Sequence, residues 1–117
     1  MSDDGPDHCK LFVNSIRSYE WLLGFLAGTV GGDAKKFPNQ SHRVDVFLDE
    51  NDEHDRARLR QSHDGFLYFP FTVDVERRDG VGLQDYIQAC REICSGLRVE
   101  GCTVVPACEF EEELSAP

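Results

Sequence analysis

The chain has 117 residues, with 12 Lys and Arg against 22 Asp and Glu, a formal net charge of -10 and a pI near 4.7. Such a length suits one domain whose core needs neither a metal nor a disulfide staple. The charge disfavours nucleic acid and anionic membranes as partners, because each phosphate contact needs a Lys or Arg. A basic protein partner fits better, although acidity also serves solubility alone.

Residues 1–9 are polar, carry Gly5 and Pro6, and have neither a basic n-region nor an apolar h-region, so they read as a flexible leader and not as a secretory signal. No apolar run approaches the ~20 residues of a membrane span. A cytoplasmic protein is expected. The five cysteines, Cys9, Cys90, Cys94, Cys102 and Cys108, then read as thiols.

Lys10 to Asn14 is a short apolar run that fits a buried strand. Ser18 precedes Trp21, Leu22, Phe25, Leu26 and Val30, whose spacing predicts a helix with Ser18 as N-cap and Gly31-Gly32 as its stop. Gly24 and Gly28 lie inside it. Each costs up to ~1 kcal/mol relative to Ala, which suggests that they let the helix lie close to a sheet. After a connector over 33–41, His42 to Leu48 alternates, with Val44, Val46 and Leu48 on one face and Arg43, Asp45 and Phe47 on the other. Residues 49–65 hold one Leu in a run of charge and read as a long solvated loop, a type often functional or mobile.

Phe66 to Glu76 is the longest and most aromatic strand candidate and is expected in the middle of the sheet. Leu67, Phe69, Phe71, Val73 and Val75 alternate with Tyr68, Thr72, Asp74 and Glu76, while Pro70 predicts a bulge or local break. Leu83, Tyr86, Ile87, Cys90, Ile93, Cys94 and Leu97 give the strongest helix pattern, closed by Gly101. Cys102 to Phe110 reads as a last strand, placed at an edge by Pro106. Residues 111–117 read as an acidic tail.

The order strand, helix, strand, strand, helix, strand resembles the ferredoxin-like βαββαβ arrangement over 10–110. It implies an α+β domain with a four-stranded antiparallel sheet in spatial order 4-1-3-2 and two helices on one face. The other face is then open, showing Asp45, Phe47, Tyr68, Thr72, Asp74 and Glu76, together with Phe12 and Glu109. Aromatic rings beside carboxylates suit a protein-binding surface, where rings supply contact area and carboxylates select basic groups. The same pattern also describes an ordinary solvated sheet face.

Motifs for chemistry are missing or incomplete. Asp49, Asn51 and Glu53 alternate like a calcium loop, but His54 stands where Gly is required and Arg60 where the closing Glu belongs. The cysteines form no Cys-x-x-Cys pair, and Cys90 and Cys94 fall on the apolar helix stripe, so core packing is expected. No local sequence ties a His to a Cys nucleophile. Asp74 and Glu76, roughly 7 Å apart on one strand face, lack any sign of a pocket. Neither a catalytic residue nor a metal site nor a cofactor is assigned.

The segment Gly65 to Glu76, followed by a helix and then by Val104 to Leu114, resembles small acidic bacterial proteins of uncharacterised type, and looks like an immunity partner of a secreted toxin. No family site is carried over from that resemblance; the net charge of -10, the aromatic and acidic open face, the polar loop 49–65 and the lack of catalytic residues point to inhibition of a basic partner, such as a toxin, by occlusion. The partner-binding set is Asp45, Phe47, Tyr68, Asp74, Glu76 and Glu109, with Asp49, Asp52 and Glu53 steering. The alternative is a ferredoxin-like small-molecule-binding or enzymatic domain that forms a homodimer through its sheet, with a pocket near His63, Tyr68 and Asp74.

Overall fold

The computed structural model describes residues 5–30, 39–40, 43–51 and 69–115. The elements are β1 (His8–Asn14), α1 (Tyr19–Val30), β2 (Asn39–Gln40), β3 (Val44–Glu50), β4 (Phe71–Arg77), α2 (Leu83–Val99), β5 (Thr103–Ala107) and α3 (Glu111–Ser115). Together they make an α+β fold around one antiparallel sheet, in the order β2-β3-β4-β1-β5. The aromatic strand β4 lies in its middle, and β5, with Pro106, forms an edge.

Period-two patterning decides which side of the sheet is dry. Cys9, Leu11 and Val13 of β1, Val44, Val46 and Leu48 of β3, and Val73 and Val75 of β4 are all at most 1% exposed. They meet Leu22 and Leu26 of α1 and Tyr86, Cys90, Ile93, Cys94 and Leu97 of α2 in one core. Both long helices therefore cover the same face.

The helix ends follow from local chemistry. The Ser18 hydroxyl accepts the Trp21 N–H at 3.1 Å, which caps α1 as its sequence predicts. At the end of α2, Gly101 sits at φ 88, with its N–H on the Arg98 carbonyl and the Cys102 N–H on the Leu97 carbonyl, both at 3.0 Å. This Schellman turn needs a residue that tolerates a left-handed backbone. The close helix approach lies elsewhere than the glycine pattern predicts. A Cβ on Gly24 or Gly28 would meet nothing within 4 Å, whereas one on Gly96 of α2 would lie 3.1 Å from the Phe25 ring. Thus Gly96 is where α2 gives room to α1.

Residues 7–9 and 110–114 are more ordered than their composition suggests. β1 begins at His8 and Cys9 is fully buried, inside the stretch expected to be a leader. Asp7 joins it: the Asp7 carbonyl accepts the Arg77 N–H at 2.8 Å, and its carboxylate accepts the Arg77 guanidinium at 2.9 and 3.1 Å. At the other end, the expected acidic tail contains α3. Phe110 and Leu114 are 8% and 1% exposed, Phe110 meets Tyr86 edge to face at 5.5 Å, and Arg98 donates to the Leu114 carbonyl at 2.6 Å. Two apolar residues four apart give an otherwise acidic segment one face to bury.

Pro70 precedes β4 at a bend instead of lying within the strand. The adjoining backbone is held by Asn51, whose N–H bonds the Pro70 carbonyl at 2.8 Å and whose side chain bonds the Phe69 carbonyl at 2.7 Å. Segment 52–68, which includes His54, Arg60, His63, Phe66, Leu67 and Tyr68, lies outside the described residues.

Candidate functional site: the sheet face that no described helix covers

The residues that alternate with the core point away from the helices, and strand register arranges them in three rows. Asp45 stands opposite Glu76, and Glu76 opposite His8. Phe47 stands opposite Asp74, Asp74 opposite Lys10, and Lys10 opposite Ala107. Asp49 stands opposite Thr72, Thr72 opposite Phe12, and Phe12 opposite Val105. Thr72 is only 7% exposed, so this face has a polar centre that is shielded as well as an exposed border.

Two carboxylates placed directly across a strand pair repel and weaken the sheet. Asp45 and Glu76 are such a pair. The Arg78 guanidinium stands 4.0 Å from Asp45 Oδ1, too far for a hydrogen bond. That oxygen is buried and accepts no hydrogen bond among the described residues. A buried carboxylate oxygen without a hydrogen bond costs free energy that a neighbouring donor would recover. Asp74 is better served, since His8 Nε2 lies 2.9 Å from its Oδ1. The Lys10 ammonium lies 5.8 Å from the centre of the Phe12 ring, within reach of a cation–π contact.

Of the expected partner-binding residues, Asp45, Phe47 and Asp74 are half-buried on this face, and Asp49 and Glu76 are exposed on it. Glu109 is exposed but follows the end of β5, so it stands off the strand ladder where a longer last strand would have placed it. Asp52, Glu53 and Tyr68 lie outside the described residues. Sequence reasoning missed His8 and Lys10, which place an imidazole and an ammonium group on the face beside Asp74. The available signal was the alternation of His8, Lys10 and Phe12, obscured by starting the strand at Lys10. Arg43, expected on this face, instead precedes β3 and forms a two-pronged pair with Glu92 of α2 at 2.9 and 3.1 Å.

Of the carboxylates considered as an acid/base pair, Asp74 is hydrogen-bonded to His8, and Glu76 is exposed. A cleft of about 310 Å³ among the described residues lies at the C-terminal end of β1, between Asn14, Ile16 and Arg17 on one side and Glu100 and Thr103 on the other. It includes none of the expected site residues. Tyr19, which bonds the Leu48 carbonyl through its hydroxyl at 3.0 Å, has its acidity weakened by burial first and then by Asp49, Glu50 and Glu20. No helix among the described residues is long and apolar enough to cross a membrane.

Comparison with protein-family models, with curated proteins and with solved structures finds no match to this chain.

Proposed function

We propose that this chain is an acidic protein-binding module that takes a basic protein on its uncovered sheet face and occludes it, as an immunity protein does its toxin. The observation that carries this reading is the facing pair Asp45 and Glu76, with Asp45 Oδ1 left without a hydrogen bond among the described residues. A Lys or Arg inserted between them would relieve the repulsion and supply the missing donor. Phe47 adds apolar area in the row beside these carboxylates and Phe12 in the row beyond it, and the net charge of -10 would draw a basic partner in over distance.

The scaffold we propose is ferredoxin-like. Leaving aside the two-residue β2, the order β3-β4-β1-β5 with α1 and α2 on one face supports it. The setting we propose is the cytoplasm, where a bacterial inhibitor of this kind would guard its own cell.

The reading is tested by capture from lysate at low salt, followed by a salt gradient, with wild type beside Asp45→Lys/Glu76→Lys. A stoichiometric basic protein that binds the wild type, elutes at moderate salt and fails to bind the double variant is the expected result. Equal capture by both proteins would remove the sheet face from the account.

A further inference from the structure

Three thiols meet at one end of the core. Cys9 is fully buried on β1, Cys90 is fully buried on α2, and Cys108 is half-buried just past β5. Register explains why two of them touch. Lys10 and Ala107 are the last paired residues between β1 and β5, so Cys9 and Cys108 occupy the next cross-strand position. Cα atoms at such positions lie about 4.5–5.5 Å apart, inside the roughly 4.4–6.8 Å range that a disulfide spans. Their sulfurs are 2.7 Å apart. That is closer than the ~3.5–4.0 Å at which non-bonded heavy atoms settle.

We propose that Cys9 and Cys108 form a redox modification site, joined by a small-molecule disulfide oxidant into an intramolecular crosslink that fastens the end of β5 to β1. Cys108 is the entry point, because only it of the pair is partly exposed. Its thiolate attacks one sulfur of the oxidant, forming a mixed disulfide and expelling one small thiolate. The Cys9 sulfur, after giving its proton to solvent, attacks the Cys108 sulfur, forms the Cys9–Cys108 bond and expels the second small thiol. Two electrons pass from the protein to the oxidant, which is reduced to two thiols. Cys90 is not consumed.

Both sulfurs are protonated at rest. The Cys9 thiol is pushed up by its hydrogen bond with Cys90, by burial and by Cys108, and the Cys108 thiol by burial, against the opposing pull of Cys9 and the Phe110 N–H. Crosslinking is accordingly slow compared with that of an activated thiol. Once made, it closes a chain separation of 99 residues, and a loop of that size restricts the unfolded chain strongly.

The full chain, reduced and then incubated with oxidised glutathione, tests this. Of its five thiols, three are expected to remain titratable, with the intact mass lower by two hydrogens and no glutathione retained. Peptide mapping of the Cys102→Ser protein should join the Cys9 and Cys108 peptides, and the melting temperature should rise by about 10 °C. Cys90→Ser should crosslink as the wild type does. Cys108→Ser, at a half-buried position that tolerates the change better than Cys9, should not crosslink. A stable glutathione adduct on Cys108, a crosslink through Cys90 or Cys102, or no loss of thiols from folded protein would overturn the proposal.

Discussion

The two faces of the sheet are built from the same strands, offset by one residue, yet follow opposite rules. On the helix side Leu11, Val46 and Val75 are fully buried, and every change of shape is felt. On the other side Asp45 faces Glu76, a like-charge pair that opposes the sheet, while Asp74 faces Phe47 and the oppositely charged Lys10. The proposed binding role rests on the one pair among the described residues of this face that opposes the sheet, Asp45 and Glu76.

The sharpest break in this comparison comes from neighbouring residues of β1. Leu11→Ala should cost about 2–5 kcal/mol, since it opens a cavity under both helices. Phe12→Ala, one residue along on the uncovered face, should cost about 1 kcal/mol or less. Urea denaturation of the two variants measures the contrast, and equal losses would mean that the second face is covered as well. Leu114→Ala extends the test to the C-terminus. It should cost about 2–4 kcal/mol because Leu114 is the residue by which α3 joins the core, whereas a solvated tail would give no change.

Smaller effects refine the picture on the helix side. Gly24→Ala should stabilise by up to ~1 kcal/mol, because the new methyl group meets only open space. The Arg43–Glu92 pair holds the Glu92 carboxyl below its usual pKa, first through the hydrogen bonds from Arg43. A depressed folded-state pKa contributes stability above the unfolded-state value, and this is lost as pH falls through the folded one. Glu92→Gln should therefore flatten the acid limb of the stability curve. With the two side chains 36% and 40% exposed, the loss at neutral pH should be about 0.5 kcal/mol or less. Thermal melts between pH 7 and pH 3 read both quantities.

Much of this architecture could be read from local pattern. Ser18, Gly101, the strip from Leu83 to Leu97 and the alternation through Phe71 to Glu76 each act within a few residues, so sequence spacing carries them. The misreadings depend on partners distant in the chain. Cys9 belongs to β1 because Val75 stands opposite it, and α3 forms because Tyr86 and Arg98 wait on α2 to receive Phe110 and Leu114. The glycines misled for the same reason: Gly24 and Gly96 look alike in sequence, and only the packing of Phe25 separates them. For the site, alternation placed Asp45, Phe47, Asp74 and Glu76 correctly, but only register shows that Asp45 faces Glu76 and that Lys10 and His8 share Asp74.

The most direct test of the sheet face is the association rate of a captured basic partner as a function of ionic strength, measured with two charge-matched variants. Asp45→Lys/Glu76→Lys reverses the uncovered face, and Glu20→Lys/Glu100→Lys reverses two exposed positions on the helical side, so net charge changes equally. The account predicts that the first variant associates at least about tenfold more slowly at low salt, while the second stays within about threefold of wild type. Equal slowing by both variants would contradict it, leaving net charge alone, and no particular face, to draw the partner in.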